Sequence, residues 1–92
     1  MQTNSFEKEV MKMAIDKYGL FGQLQMTQEE CAELIVASSH FMRGRINEDE
    51  LIEEIADVKN MIEQLAIYFG HDKIEKVRIE KLKRIHEKMK EE

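Results

Sequence analysis

Proline and tryptophan are missing from this 92-residue chain, glycine occurs only four times and cysteine once. Proline and glycine are the main interrupters of helical sequence, so their scarcity favours long helices over a turn-rich β-sandwich. The single Cys31 cannot close a disulfide within the chain. No apolar run approaches the length of a membrane span, and the opening residues Met1-Gln2-Thr3-Asn4-Ser5 lack the apolar core of a signal peptide. A cytoplasmic protein without a membrane partner is therefore expected. Positive charge is also short: 14 Lys and Arg face 19 Asp and Glu, a net charge of −5. That balance argues against a nucleic-acid polymer as partner, because binding its backbone depends on clustered cations. A free nucleotide carrying its own Mg²⁺ stays compatible.

What remains is 36% charged and 42% hydrophobic, the balance of an all-α protein. A chain of this length makes one domain, residues 1–92, and buries a modest fraction of its surface alone, so association with further copies is expected.

Four helical segments can be placed. The first runs from about Ser5 to Tyr18, with Phe6, Val10, Met13 and Ile15 on its apolar side, and Gly19 and Gly22 mark its end. A loop through Phe21, Gln23 and Gln25 is expected next. Thr27, with Glu30 three residues later, reads as a capping box that opens a helix to about Met42. Chain reversal falls near Arg43-Gly44-Arg45. Asn47 with Glu50 forms a second capping-box pattern, opening a helix that Gly70 stops after Phe69. Asp72 is the candidate cap of the last helix, whose inner side is read as Ile74, Val77, Leu82, Ile85 and Met89.

Within this frame one pattern is written twice. Gln28-Glu29-Glu30-Cys31-Ala32-Glu33-Leu34 and Ile52-Glu53-Glu54-Ile55-Ala56-Asp57-Val58 each set two acids three residues apart, hence on one helix face. Many solvated helix faces carry such pairs, but these lie on or beside the apolar arcs. At about 100° per residue, Glu54 falls between Met61 and Leu65, and Glu30 close to Leu34, Ala37 and Phe41, while Glu33 and Asp57 flank their arcs. An acid on a buried side needs a partner, a proton or a metal. With the reversal near Gly44, residues whose numbers sum to about 87 face each other across antiparallel helices, which sets Glu33 across from Glu54 and Glu30 across from Asp57. Two carboxylates about 4 Å apart repel by about 4 kcal/mol at an effective dielectric of about 20, so four together call for cations or protons. Oxygen-only ligands favour Mg²⁺, or Mn²⁺ as substitute, over zinc or copper.

Other residues carry weaker signals. Lys59, Arg78 and Lys81 would singly snorkel to solvent, but as a group are candidates for holding phosphate oxygens. Tyr18, Phe21 and Gln23 are candidates for stacking and amide contacts to a base. Glu29 and Glu53 lie further round the helices than the acids they precede. His40, His71 and His86 have no ligand-like spacing, and Cys31 has no basic neighbour arranged to activate it. No Gly-rich phosphate loop, nucleophilic serine elbow or zinc-finger spacing occurs.

The sequence Glu30-Cys31-Ala32-Glu33, a spacer of twenty residues, then Glu54-Ile55-Ala56-Asp57 resembles the ExxE–spacer–ExxD signature of the MazG-like, all-α nucleoside triphosphate pyrophosphohydrolases. The likeness extends from about Tyr18 to Arg84 and is closest to the short single-domain members. It implies a four-helix bundle completed by oligomerisation, as homodimer or homotetramer, with sites near the chain interface. It further implies that Glu30, Glu33, Glu54 and Asp57 are the catalytic, Mg²⁺-binding residues, cleaving a nucleotide substrate to the monophosphate and pyrophosphate. Lys81-Leu82-Lys83-Arg84 is similar to the family's basic stretch, which implies phosphate contacts from Lys81 and Arg84. Tyr18 and Gln23 would then be base-binding, although members often carry Trp-Gly where this chain has Tyr18-Gly19. A dUTP/dCTP-specific or phosphoribosyl-ATP pyrophosphohydrolase shares the acid pattern. A noncatalytic helical interaction protein with the same fold is the alternative outside enzymes.

Overall fold

A computed structural model describes residues 5–92; Met1–Asn4, on which the leaderless reading partly rests, lie outside them. The described residues form three helices, α1 (Ser5–Met42), α2 (Glu48–Phe69) and α3 (His71–Glu91), and no strand. None of these helices is long and apolar enough to cross a membrane.

Gly19 breaks α1 where the first helix was expected to end, but the break occupies one residue (φ 77°, ψ 165°) instead of a loop. Leu20, Gln23, Leu24, Gln25 and Met26 are good helix formers, and with the kink absorbed at a residue without a Cβ the helix restarts at once. The expected loop through Phe21, Gln23 and Gln25 is therefore helical. Thr27 is not a cap: its hydroxyl donates to the Gln23 carbonyl oxygen at 2.7 Å, one turn back within the helix. A Cβ at position 19 would meet nothing within 4 Å, so only backbone strain opposes a side chain there. Gly19→Ala should cost about 1–3 kcal/mol, read as a lower midpoint in urea denaturation with unchanged slope.

The turn between α1 and α2 forms as expected. Gly44 at φ 71° lets the Arg45 amide donate to the His40 carbonyl (2.8 Å) and its own amide to the Phe41 carbonyl (3.0 Å), a Schellman ending. Asn47 and Glu50 form the anticipated capping box, the Glu50 amide donating to Asn47 Oδ1 at 2.9 Å and the Asn47 amide to Glu50 Oε1 at 3.3 Å. Between α2 and α3 stands only Gly70, at φ 111°. Asp72 does not cap α3; Gly70 holds that position without a side-chain bond, and Asp72 lies in the first turn, where its charge favours the helix dipole.

Only α1 and α2 pack along their length. α3 touches α2 and has no contact with α1. Among the described residues the buried side chains are Met11, Gln23, Ala37, Met61 and Ala66. The apolar side expected of the first helix is mostly open, with Phe6, Val10 and Met13 exposed and Met11 buried instead. Likewise Ile74, Val77, Leu82, Ile85 and Met89 are 37–58% exposed, so most of the face read as inner is open within one chain. The radius of gyration is 15.8 Å, against about 12 Å for a compact domain of this length.

Candidate metal centre

The α1/α2 register brings the doubled acid motif together. Glu30 and Glu33 from α1 and Glu54 and Asp57 from α2 each present a carboxylate oxygen within 4.8 Å of the others. Asp57 is among the groups that raise the Glu30 carboxyl, and Glu33 among those that raise Glu54, the pairs that the antiparallel register sets opposite each other. Two turns away the Gln23 amide donates to Gln64 Oε1, a pair in the same register, and Gln64 in turn approaches Met61 Sδ at 3.9 Å. Amide and acid pairs thus lie along one seam between the helices.

The inner members of the cluster carry the electrostatic load. Burial, followed by the charges of Glu33, Asp57 and Glu54, raises the Glu30 carboxyl above its ordinary value of 4.5. Burial raises Glu54 likewise, then Glu33 and Asp57, with a smaller contribution from Glu53. Glu30 Oε2 and Glu54 Oε2 are buried without a hydrogen-bond partner. Two shielded, unpartnered oxygens beside two more exposed carboxylates fit a hard divalent cation, which would satisfy the orphans and cancel the repulsion.

A pH dependence follows. Because Glu30 and Glu54 titrate higher folded than unfolded, the native state holds more protons between the ordinary carboxylate pKa and the raised values. Their contribution to stability is fully present below about pH 4.5 and is lost as pH rises through the folded pKa values. In EDTA, the Glu30→Gln/Glu54→Gln variant should gain Tm relative to wild type as pH is raised from about 4 to 7. Parallel Tm curves would remove the repulsion from the account. Glu75, held below its ordinary value by its hydrogen bond from Arg78, acts in the opposite direction but is common to both proteins.

Beside the acids is a cavity of about 400 Å³, running toward the α1–α2 turn, with Glu33 and Glu54 in its wall. His40 lines it as well, although its sequence context suggested no special role. The available signal was its spacing: His40 lies seven residues, two turns, beyond Glu33 on the same side of α1.

The remaining candidates lie apart. Gln23 is buried with its amide engaged by Gln64. Tyr18 is exposed just before the Gly19 break, with the Lys17 ammonium 5.5 Å from its ring centre. Arg78 pairs with Glu75, Lys81 lines a shallow groove with Phe69 and Val77, and Arg84 is exposed on α3. Since α3 has no contact with α1, Lys81 and Arg84 do not join the acids through packing of α3 on α1 within one chain. Lys59, Glu29 and Glu53 are exposed on the two paired helices. No protein-family model, curated protein or solved structure matches the chain.

Proposed function

We propose that this protein is a cytoplasmic, Mg²⁺-dependent nucleoside triphosphate pyrophosphohydrolase that yields a nucleoside monophosphate and pyrophosphate. The observation that carries the reading is the convergence of Glu30, Glu33, Glu54 and Asp57 with two buried, unpartnered oxygens among them. These four residues would hold the cation, which when bound supplies charge neutralisation to phosphate oxygens and acidifies a water. A carboxylate of the cluster accepts the proton that the attacking water gives up at the α/β phosphate linkage. The more exposed Glu33 and Asp57 face incoming substrate, and Glu30 and Glu54 anchor the site from the helix seam.

The exposed apolar faces support assembly. Among the described residues twenty-one large apolar side chains are exposed, including a continuous row on α3, and an extended apolar face of that kind marks an interaction surface. Pairing these faces between copies, as homodimer or homotetramer, completes a helical bundle and carries Lys81 and Arg84 of one copy toward the acids of another. The same open faces are what a noncatalytic interaction protein would offer, so the assay must separate the two readings. With Mg²⁺ and a panel of ribo- and deoxyribonucleoside triphosphates, equimolar pyrophosphate and monophosphate should appear, and EDTA should stop their release. Binding without product on every member of the panel would favour the interaction protein.

A further inference from the structure

The cavity beside the acids lies where a nucleotide bound through its phosphates would place its sugar and base. From Glu33, the positions Ala37 and His40 lie about 6–10 Å further along α1, at a rise of about 1.5 Å per residue. That matches the offset of a base from its own α-phosphate. The cavity's volume, about 400 Å³, is within the range of small-molecule sites. Its walls are apolar at Ala32, Val36, Ala37 and Ile46, and beyond the acid cluster its polar groups are His40 and Glu50. Sharing Glu33 and Glu54 with the cation cluster makes it continuous with the proposed phosphate site.

We propose that this cavity is the nucleoside subsite and that Glu50 makes it favour bases carrying an exocyclic amine. The inference rests on the pyrophosphohydrolase reading for the placement of the phosphates. Glu50 has one oxygen occupied by the Asn47 amide in the capping box, and among the described residues no other hydrogen bond engages its carboxylate. A carboxylate accepts hydrogen bonds and cannot donate them, so it rewards the amine of cytosine and opposes the carbonyl at the same position of uracil. Glu50→Gln isolates this role from folding, because glutamine also serves as the third helical residue of a capping box.

The test uses the α,β-methylene analogues of cytidine and uridine triphosphate with Mg²⁺, which bind without being cleaved. Methyl resonances of Val36, Ala37 and Ile46 should shift on addition of the cytidine analogue. Wild type should bind it more tightly than the uridine analogue, and Glu50→Gln should reduce that ratio by on the order of tenfold. Shifts confined to the Tyr18 and Gln23 end of the seam, or the same ratio in wild type and variant, would overturn the proposal. Methyl shifts and a base preference in a protein that releases no pyrophosphate would instead retain the pocket and reject the pyrophosphohydrolase reading.

Discussion

Glu54→Gln should lower kcat/KM for triphosphate hydrolysis by about a thousandfold while leaving the helical circular dichroism signal unchanged. The side chain keeps its size and its place between the helices, so packing is preserved. What it loses is a charge at the centre of the cluster, on the residue whose second oxygen is buried and unpartnered. Without divalent cation the variant should be more stable than wild type at neutral pH, since an amide does not repel Glu33 and Asp57. Loss of activity together with gain of stability marks a residue retained for its charge. Loss of both would mean that Glu54 is structural. Near-normal turnover would exclude it from the site.

Arg84→Ala should reduce kcat/KM by about tenfold to a hundredfold, the effect of a charge-assisted hydrogen bond of about 1.5–3 kcal/mol. Cation affinity without nucleotide should not change, and Arg84→Lys should recover part of the loss, because an ammonium cannot make a bidentate guanidinium contact. Since α3 and α1 do not touch, the arginine is expected to act on the acids of another copy. Mixing the nearly inactive Glu54→Gln protein with Arg84→Ala should then restore activity. In a two-fold dimer, half the mixed population is heterodimer and one of its two sites is intact, giving about a quarter of wild-type turnover. Activity no greater than the average of the separate variants would place acids and arginine in the same chain. Sedimentation of wild type at micromolar concentration should accordingly show at least a dimer, and a fully active monomer would remove the arrangement in trans.

The register of the site was legible because it depends on local signals. Gly44 and the Asn47–Glu50 capping box set where α1 ends and α2 begins. Once that turn is placed, helical periodicity aligns Glu30 with Asp57 and Glu33 with Glu54. The Gln23–Gln64 pair continues the same alignment, but a neutral amide on a helix face has no distinctive sequence signal. Gly19 was readable as a break, whereas the length of the interruption was not. Glycine at positive φ can turn the chain within one residue, and the helix-forming residues after it need no loop. The inner face assigned to α3 failed for another reason: an apolar stripe records that a helix wants a partner, without saying whether that partner belongs to the same chain. The four-segment reading became three helices, with one internal break, for these local reasons.

On the reading proposed above, four carboxylates from two helices make one divalent-cation site. Calorimetric titration of Mg²⁺, repeated with Mn²⁺, into wild type and Glu30→Gln/Glu54→Gln at neutral pH and moderate salt tests it without reference to substrate. Wild type should bind saturably and the variant at least about a hundredfold more weakly, consistent with losing two charged ligands together. Equal affinity in the two proteins, or no saturable binding to wild type, would contradict it.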